Sequence, residues 1–263
     1  MKLLAWPKAA AFGRAIPKRK IYDHADAKTA LKDLFVQDVD QITWAYKLAP
    51  ETINIPATRS VSEIQVFQIK LKTSGLDDKV LQAIDKAIPF PLLFELSYRG
   101  QVRLAAAYKR PHETDGNRWV VGRYFESGWQ PEDAQREPLP MALNLSVLYE
   151  QLLTPLVDAS NSVQTVPPTL EGVQDAPANY DISGQRDIKP SPQYNNDRSA
   201  VSLEQRIALA EAIDAKQKEI DQIQSRLKRE KQFNRRVAIN SELREAKQQL
   251  ARLQARQPAI VSH

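Results

Sequence analysis

The residues that could do chemistry are few in this sequence. Cysteine is absent, and the three histidines are His24, His112 and His263. No two of these histidines have the spacing of metal ligands. Asp23, His24 and Asp26 lie together, but short polar residues where a helix begins usually cap its free N–H groups. We therefore predict no metal site.

The sequence also lacks the motifs of phosphate-binding loops and of activated nucleophiles. The chain has only eight glycines. It contains neither a P-loop (GxxxxGK[ST]) nor a dinucleotide-binding GxGxxG, and it has no GxSxG nucleophile elbow. The sequence therefore predicts no cofactor and no catalytic residues.

One hydrolytic alternative stays open. A metal-dependent nuclease of the PD-(D/E)xK type uses a carboxylate and, on the next strand, an acid-x-Lys to hold the ion and polarise water. The candidates here are Gln68-Ile69-Lys70, which lacks the acid, and Glu95-Leu96-Ser97, which lacks the lysine. A divergent nuclease is thus a second alternative, and its cleavage would depend on Glu63 or Glu95.

Positive charge is the strongest chemical signal. Residues 1–200 carry no net charge, so the formal +5 lies in residues 201–263. Within 226–236, six bases stand against Glu230 alone, and a second cluster closes the first 20 residues. Such clusters suit phosphate contact or an acidic partner, although most charge runs are solvated helix faces. The candidate contact residues are Lys18, Arg19, Lys20, Arg226, Lys228, Arg229, Lys231, Phe233, Arg235 and Arg236.

The elements that must position these residues follow from hydrophobic periodicity. Residues 1–20 read as an extended arm, and Trp44 and Trp119 as core residues. The pattern then predicts helices over 26–48, 76–88 and about 140–157, strands over 63–72 and 119–125, and a β-hairpin over 92–108 that turns at Arg99-Gly100. We expect an α/β (α+β-like) domain over 1–157, with one mixed sheet of about four strands covered by three helices.

The C-terminal third differs in composition. Residues 158–200 are poor in apolar residues and rich in Pro, Ser, Asn and Asp, so we expect a disordered linker. Residues 201–263 form the basic tail, with one apolar stripe ending at Leu227 and another starting at Leu243. These stripes are rotated by roughly 160° on one straight helix. A helical hairpin turning within 228–241 is therefore favoured over a continuous coiled-coil helix.

Localisation follows from what the chain lacks. No stretch reaches the roughly 18 apolar residues of a membrane span, and the apolar run at the start is broken by Pro7 and Lys8. The absence of cysteine fits a reducing compartment. We expect a cytoplasmic protein that does not contact the membrane.

Five strings resemble a known prokaryotic family, the domain-of-unknown-function family numbered 4391. The similarity covers residues 14–157 and most of the tail. The strings are Ile16-Pro17-Lys18-Arg19-Lys20 onward to Ala25, Ile42-Thr43-Trp44-Ala45-Tyr46 onward to Ile55, Glu63-Ile64-Gln65-Val66-Phe67, Ile84-Asp85-Lys86-Ala87-Ile88 onward to Pro91, and Lys231-Gln232-Phe233-Asn234-Arg235-Arg236-Val237 onward to Leu243.

The resemblance implies a context rather than a mechanism. No activity is established for the family, and its members tend to be encoded beside helicases and DNA methyltransferases of restriction or anti-phage type. It therefore implies a non-enzymatic accessory subunit with a helicase- or methyltransferase-type protein partner and possible contact with nucleic acid. The first alternative is a structural protein that self-associates as a homodimer through a coiled-coil tail.

Overall fold

The computed structural model describes residues 2–25, 28–112, 119–162 and 202–256. The linker predicted over 158–200 lies outside these residues, except for 158–162, which continue a helix. In chain order the elements are β1 (Leu4–Ala5), a 3₁₀ turn (Lys8–Ala10), β2 (Ala11–Ala15), α1 (Lys18–Ala25), α2 (Thr29–Asp38), β3 (Val39–Leu48), α3 (Pro50–Ile53), β4 (Ile64–Leu71), α4 (Asp78–Ala87), β5 (Leu92–Tyr98), β6 (Gln101–Pro111), β7 (Trp119–Glu126), β8 (Gln130–Pro131), β9 (Glu137–Pro138), α5 (Leu145–Ser162), α6 (Leu203–Arg229) and α7 (Phe233–Gln254).

The main sheet is mixed, as expected, but larger than predicted. Its order is β2-β3-β4-β5-β6-β7, and β8 also pairs with β6, which makes seven strands instead of about four. Within this sheet, β4 and β5 are the one pair described that runs parallel, and α4 connects them. Every other pairing in this sheet is antiparallel. A parallel pair needs such a crossover, because a tight turn cannot bring the chain back in the same direction.

One missing strand is β3, which we had placed in the second half of a helix. Register shifts occur between Val39 and Gln41 and between Trp44 and Tyr46. Each β-bulge adds one residue and so breaks the two-residue alternation of side chains. Every third residue of β3 is buried, from Val39 to Leu48. That spacing imitates one face of a helix, and the helix prediction was wrong here for this reason.

A second missing strand is β2, in the segment read as an extended arm, and the two-residue β8 is the third. β2 pairs with β3, and the nitrogen of Ile16 donates to the carbonyl of Ile42 at 2.9 Å. Helix α1 then begins at Lys18, inside the supposed arm. The short segment carries no sustained alternation, and all five residues of β2 are exposed.

The centre of the sheet was predicted well. Asp77 caps α4 by accepting a hydrogen bond from the nitrogen of Lys79 at 2.9 Å. The turn between β5 and β6 has positive φ at Arg99 (47°) and at Gly100 (76°). That pair of values suits the two-residue turns whose twist matches a hairpin.

Two hydrophobic cores lie on opposite faces of this sheet. Buried residues of α1, α2 and α4 form one core with the sheet. The other core contains residues of α5 and of the first half of α6, together with Leu3 and Trp6. Helices from five segments thus cover the sheet, where three were expected. None of the helices in the described residues is both long and apolar enough to cross a membrane.

The tail begins as part of this body. Leu203, Ile207 and Ala210 are buried in the same core as α5. Arg206 donates through Nη1 to both carboxylate oxygens of Asp158, at 3.0 Å each. Helices α6 and α7 then pack against each other around a third, smaller core. The favoured hairpin is thus present, and residues 230–232 form its turn.

Candidate functional site

The hairpin turn gathers the basic residues that the sequence singled out. We call residues 226–236 the basic tip. Arg226, Lys228 and Arg229 lie in the last turn of α6, Lys231 lies in the connection, and Arg235 and Arg236 lie in the first turn of α7. All six side chains are exposed.

Acidic residues neutralise little of this charge. Arg226 is ion-paired with Glu242 on α7. Glu230 is the single acid within the tip, and its carboxylate accepts hydrogen bonds from the backbone nitrogens of Lys231 and Gln232, at 2.9 and 2.8 Å. Those bonds stabilise the turn and do not pair Glu230 with a basic side chain. Five of the six bases therefore have no ion-pair partner in the described structure.

Two features of the tip work against its own stability. The N-terminus of a helix carries partial positive charge, which disfavours basic side chains there. Yet the first turn of α7 holds Arg235 and Arg236 and no acid. Phe233, which opens the helix, is 78% exposed, and Val237, one turn later, is 54% exposed. An exposed aromatic ring between bases suits contact with a ligand more than it suits folding.

The tip extends away from the body. The last ion pair described between α6 and the sheet joins Asp214 to Arg123 on β7. From Asp214 to its end the helix rises about another 22 Å. Ile220, Ile223 and Ala246 stabilise this distal part within the hairpin itself. The bases are thus presented on a protruding arm.

The second basic cluster divides into one structural and two exposed residues. Lys18 donates through Nζ to the carbonyls of Phe35, at 3.2 Å, and of Val39, and so satisfies the C-terminal end of α2. Burial lowers the pKa of Lys18. Arg19 and Lys20 are exposed on α1, where Arg19 lies 4.0 Å from Asp23. These two can contact a ligand, whereas Lys18 already has its partners.

A polar crevice of about 170 Å³ lies on the other face of the sheet from α1. Thr43, Gln68 and Glu95 are directly opposite one another on β3, β4 and β5, and Gln41, Lys70 and Ser97 form the next row. Arg136 and Glu132 border it from the loop after β8. Gln68, Lys70 and Glu95, which belong to the segments considered for a nuclease, line this crevice. Glu63 is not among its lining residues.

The carboxylate of Glu95 accepts three hydrogen bonds from side chains of the protein. Its Oε1 accepts from the indole Nε1 of Trp6 and from Nη1 of Arg136, both at 2.8 Å, and its Oε2 accepts from Nε2 of Gln68 at 2.9 Å. The side chain is 3% exposed. A carboxylate with three donors around it is held as a structural anion and is poorly placed to bind a cation.

Asp40, which pairs with the crevice residue Lys70, is an acid that sequence reasoning missed. It is the extra residue of the bulge between Val39 and Gln41, and its Oδ2 lies 3.4 Å from Nζ of Lys70. Bulges often redirect a side chain beside a functional site. No sequence signal revealed it, because the segment read as a helix. Among the described residues, no group of three or more His, Cys, Asp or Glu side chains could hold a metal ion.

Comparison with known proteins gives a family and no activity. The family model described as "Domain of unknown function (DUF4391)" matches residues 4–250. No curated protein and no solved structure matches the chain.

Proposed function

The chain belongs to the family of the domain of unknown function DUF4391, and from this premise we propose that it is a non-enzymatic accessory protein that binds nucleic acid through its basic tip. Its setting is a bacterial DNA-restriction or anti-phage system, as the family resemblance implies. The α/β body docks a helicase- or methyltransferase-type partner.

The observation that carries the proposal is the conflict between stability and composition at the tip. Arg235 and Arg236 oppose the dipole of α7, and Phe233 exposes an aromatic ring beside them. A helix optimised only for folding would carry an acid or an N-capping side chain there. Departures from local folding rules concentrate at functional sites.

Nucleic acid is the ligand that fits this combination. Unpaired Lys and Arg side chains neutralise phosphates and release condensed counterions. An exposed aromatic ring offers a stacking surface to an unpaired base, worth about 1–3 kcal/mol. The protruding arm gives the tip access to a duplex or a single strand without a clash between nucleic acid and the body.

Charge reversal at the tip tests the proposal. In the full chain, the triple variant Arg229→Glu, Arg235→Glu and Arg236→Glu should abolish binding of labelled DNA in fluorescence anisotropy. In a variant with only Arg236→Glu, the slope of log affinity against log salt should fall by about 1. A matched control, Lys218→Glu with Arg244→Glu and Lys247→Glu, makes the same charge change on exposed sites of the same hairpin. It should keep most of the affinity.

The stability of helix α7 should rise in the same variants that lose binding. Glutamates in the first turn of α7 favour the helix dipole by about 0.3–1 kcal/mol each. Arg235→Glu with Arg236→Glu should therefore raise the helical signal of the hairpin in circular dichroism while binding is lost. If the triple variant and its control bind DNA and RNA equally well, the tip is not the nucleic-acid contact and an acidic protein becomes its better partner.

A metal-dependent nuclease is the second candidate, favoured by one observation. Asp40, Gln68 and Lys70 lie together where β3 and β4 run antiparallel, next to a parallel β4–β5 pair joined by a helix. Lysine and a carboxylate on adjacent strands suit phosphodiester hydrolysis with a bound divalent ion. The filled contacts of Glu95 count against it.

Cleavage assays with Mg²⁺ and Mn²⁺ on single- and double-stranded DNA separate the two candidates. Cleavage that Lys70→Ala or Asp40→Asn abolishes would establish the nuclease. Lys72→Ala is the matched control, since Lys72 is on the same segment and its Nζ bonds the carbonyl of Val36 instead. Inactivity of the intact chain with both ions would remove this candidate.

A further inference from the structure

A second cavity, of about 310 Å³, lies on the α1 face of the sheet. Helix α1 forms one side, β3 and β4 form the floor, and the segment after α4 forms the other side. Its volume is within the range of small-molecule sites, which begin at about 300 Å³. The hairpin docks on the opposite face, so this cavity is separate from the basic tip.

Aromatic rings dominate the walls. Trp44, Phe67 and Phe90 line the cavity, together with Ile21 and Ile88. The rings of Trp44 and Phe67 are nearly parallel, with 7° between their planes and 6.3 Å between their centres. Phe67 is fully buried, so the floor is rigid. Trp44 lies between Phe67 and Phe12, whose ring centre is 3.9 Å from that of Trp44, so Phe90 is the lining ring left to stack on a flat aromatic ligand.

Gln65 supplies one polar group to this apolar wall. Its side chain is 4% exposed, and its Nε2 donates to Oε1 of Glu63. A carboxylate only accepts, so the amide NH₂ must face Glu63. Among the described residues, nothing donates to the carbonyl Oε1 of Gln65, and this oxygen is not fully buried. It is therefore free to accept a hydrogen bond from a ligand in the cavity.

A lysine gives the mouth of the cavity a positive charge. Lys20 and His24 line the cavity from α1. Nδ1 of His24 lies 2.7 Å from the carbonyl of Lys20, which fixes the imidazole ring against the helix. Arg19 directly precedes Lys20 and is exposed. Its contact with Asp23, at 4.0 Å, is a weak ion pair at the surface. The entrance therefore favours an anionic group close to the aromatic walls.

We infer that this cavity binds a nucleobase that carries an amino group, with the attached phosphate held at Lys20. The base stacks on Phe90, at the edge of Trp44, while its amino group donates to Oε1 of Gln65. Adenine, cytosine and guanine have this group, and thymine lacks it. The base has two possible sources, a free nucleotide or an unpaired position in a single strand, and both present the same chemistry.

The test uses the full chain and calorimetric titration with AMP, CMP, GMP, TMP and ribose 5-phosphate. Base-bearing nucleotides with an amino group should bind, and ribose 5-phosphate should not. Ala87→Phe fills the cavity and should lower the affinity at least tenfold. Lys20→Ala should lower it for AMP but not for adenosine. Gln65→Leu should remove the preference for AMP over TMP. Thermal unfolding followed by tryptophan fluorescence checks that each variant is folded.

Single-stranded oligonucleotides identify the other source. If no mononucleotide binds, oligo(dA) should still bind more tightly than an abasic oligomer of equal length, and Ala87→Phe should erase that difference. Photocross-linking of an oligonucleotide that contains 8-azidoadenine locates the contact without any variant. It should label the tryptic peptides that contain Trp44 or Phe90.

Equal binding of the abasic and base-bearing oligomers, together with no mononucleotide binding, would overturn the inference. Cross-links confined to the hairpin would overturn it too. Neither result counts against the basic tip, because phosphate contact at the tip needs no base and cross-links at the hairpin would agree with it. Conversely, the triple variant at the tip should bind mononucleotides with unchanged affinity.

Discussion

At the scale of single residues, one buried ion pair dominates the interior of the body. Nζ of Lys109 lies 3.2 Å from Oδ1 of Asp85 and donates to the carbonyl of Asp85 at 2.6 Å. Tyr124 donates its hydroxyl to the other carboxylate oxygen. Both charged side chains are at most 3% exposed. Burial raises the pKa of Asp85 and lowers that of Lys109, while the attraction between them opposes both shifts.

Removing the cation should destabilise the fold in a pH-dependent way. Lys109→Met leaves Asp85 unpaired and should lower the free energy of unfolding by about 3–5 kcal/mol at pH 8. The raised pKa of Asp85 then rises further, because Lys109 no longer lowers it. Below that pKa the folded state keeps a proton that an unfolded Asp, with a pKa near ~3.9, has lost. The loss should therefore be smaller at pH 5 than at pH 8.

Urea unfolding followed by tryptophan fluorescence at the two pH values measures this difference. Lys79→Met is the control, since the pair of Lys79 and Asp77 is on the surface, and its effect should stay within about 0.5 kcal/mol. An equal loss at pH 5 and pH 8 would contradict the interpretation of Asp85 as the group left unpaired.

Tyr149 performs a different structural task beside the irregular pairing of β6 and β7. Its hydroxyl donates to the carbonyl of Ala107 at 2.8 Å and accepts from the nitrogen of Lys109 at 3.0 Å. The register with β7 shifts between these two residues, where β7 has one residue more than β6. Burial raises the pKa of Tyr149, so the phenol stays neutral and can both donate and accept.

Tyr149→Phe should cost about 1–3 kcal/mol, because it leaves a buried N–H and a buried C=O without partners. Tyr108→Phe is the matched control, on the neighbouring ring. Its hydroxyl makes one bond at the surface, to Glu204 at 3.3 Å, and its removal should cost within about 0.5 kcal/mol. Chemical denaturation compares the two, and equal losses would mean that water replaces the Tyr149 bonds.

At the scale of elements, helix α6 has two halves with different roles. Ile207 is buried against α5 in the body, and Ile223 is buried against α7 in the distal hairpin. Ile207→Ala should lower the free energy of unfolding of the body by about 2–5 kcal/mol. Ile223→Ala removes the same atoms from the same helix, but it should melt the hairpin alone.

The four tryptophans lie outside the tail, so their fluorescence reports the body, and circular dichroism adds the hairpin. Ile223→Ala should leave the fluorescence transition in urea in place and reduce the helical signal at lower urea concentrations. A fluorescence transition shifted equally by both variants would show that the tail and the body unfold as one unit.

The same elements show how far the sequence determined the fold. Strand β4, helix α4 and the β5–β6 hairpin were predictable, since their alternation, cap and turn residues all favour one structure. Strand β3 was not, because two bulges give it a three-residue burial period. The docking of α6 was also missed, since its apolar residues fit the body and a helical partner equally well. The basic tip could be found from charge alone, whereas Asp40 and Gln65 depend on neighbours far along the chain.

At the scale of the whole molecule, the two apolar stripes of the tail contact each other within the hairpin. Ile220, Ile223 and Ala246 pack together within one chain, and Ile239, Leu243 and Leu250 pack around them. The heptad pattern that favoured a coiled-coil homodimer is thus satisfied internally. Phe233 and Val237 are the large apolar side chains of the described tail that stay exposed; Phe233 lies in the basic tip and Val237 directly follows it.

We therefore predict that the chain is a monomer in solution, with the mass of 29.8 kDa that its composition gives. The positive charge of the tip opposes contact between two copies, and two exposed apolar side chains bury too little area for a stable dimer. Sedimentation velocity at low and physiological salt measures the mass. A dimer that Phe233→Ser with Val237→Ser converts to a monomer would assign the tip to self-association and would favour a structural role over nucleic-acid binding.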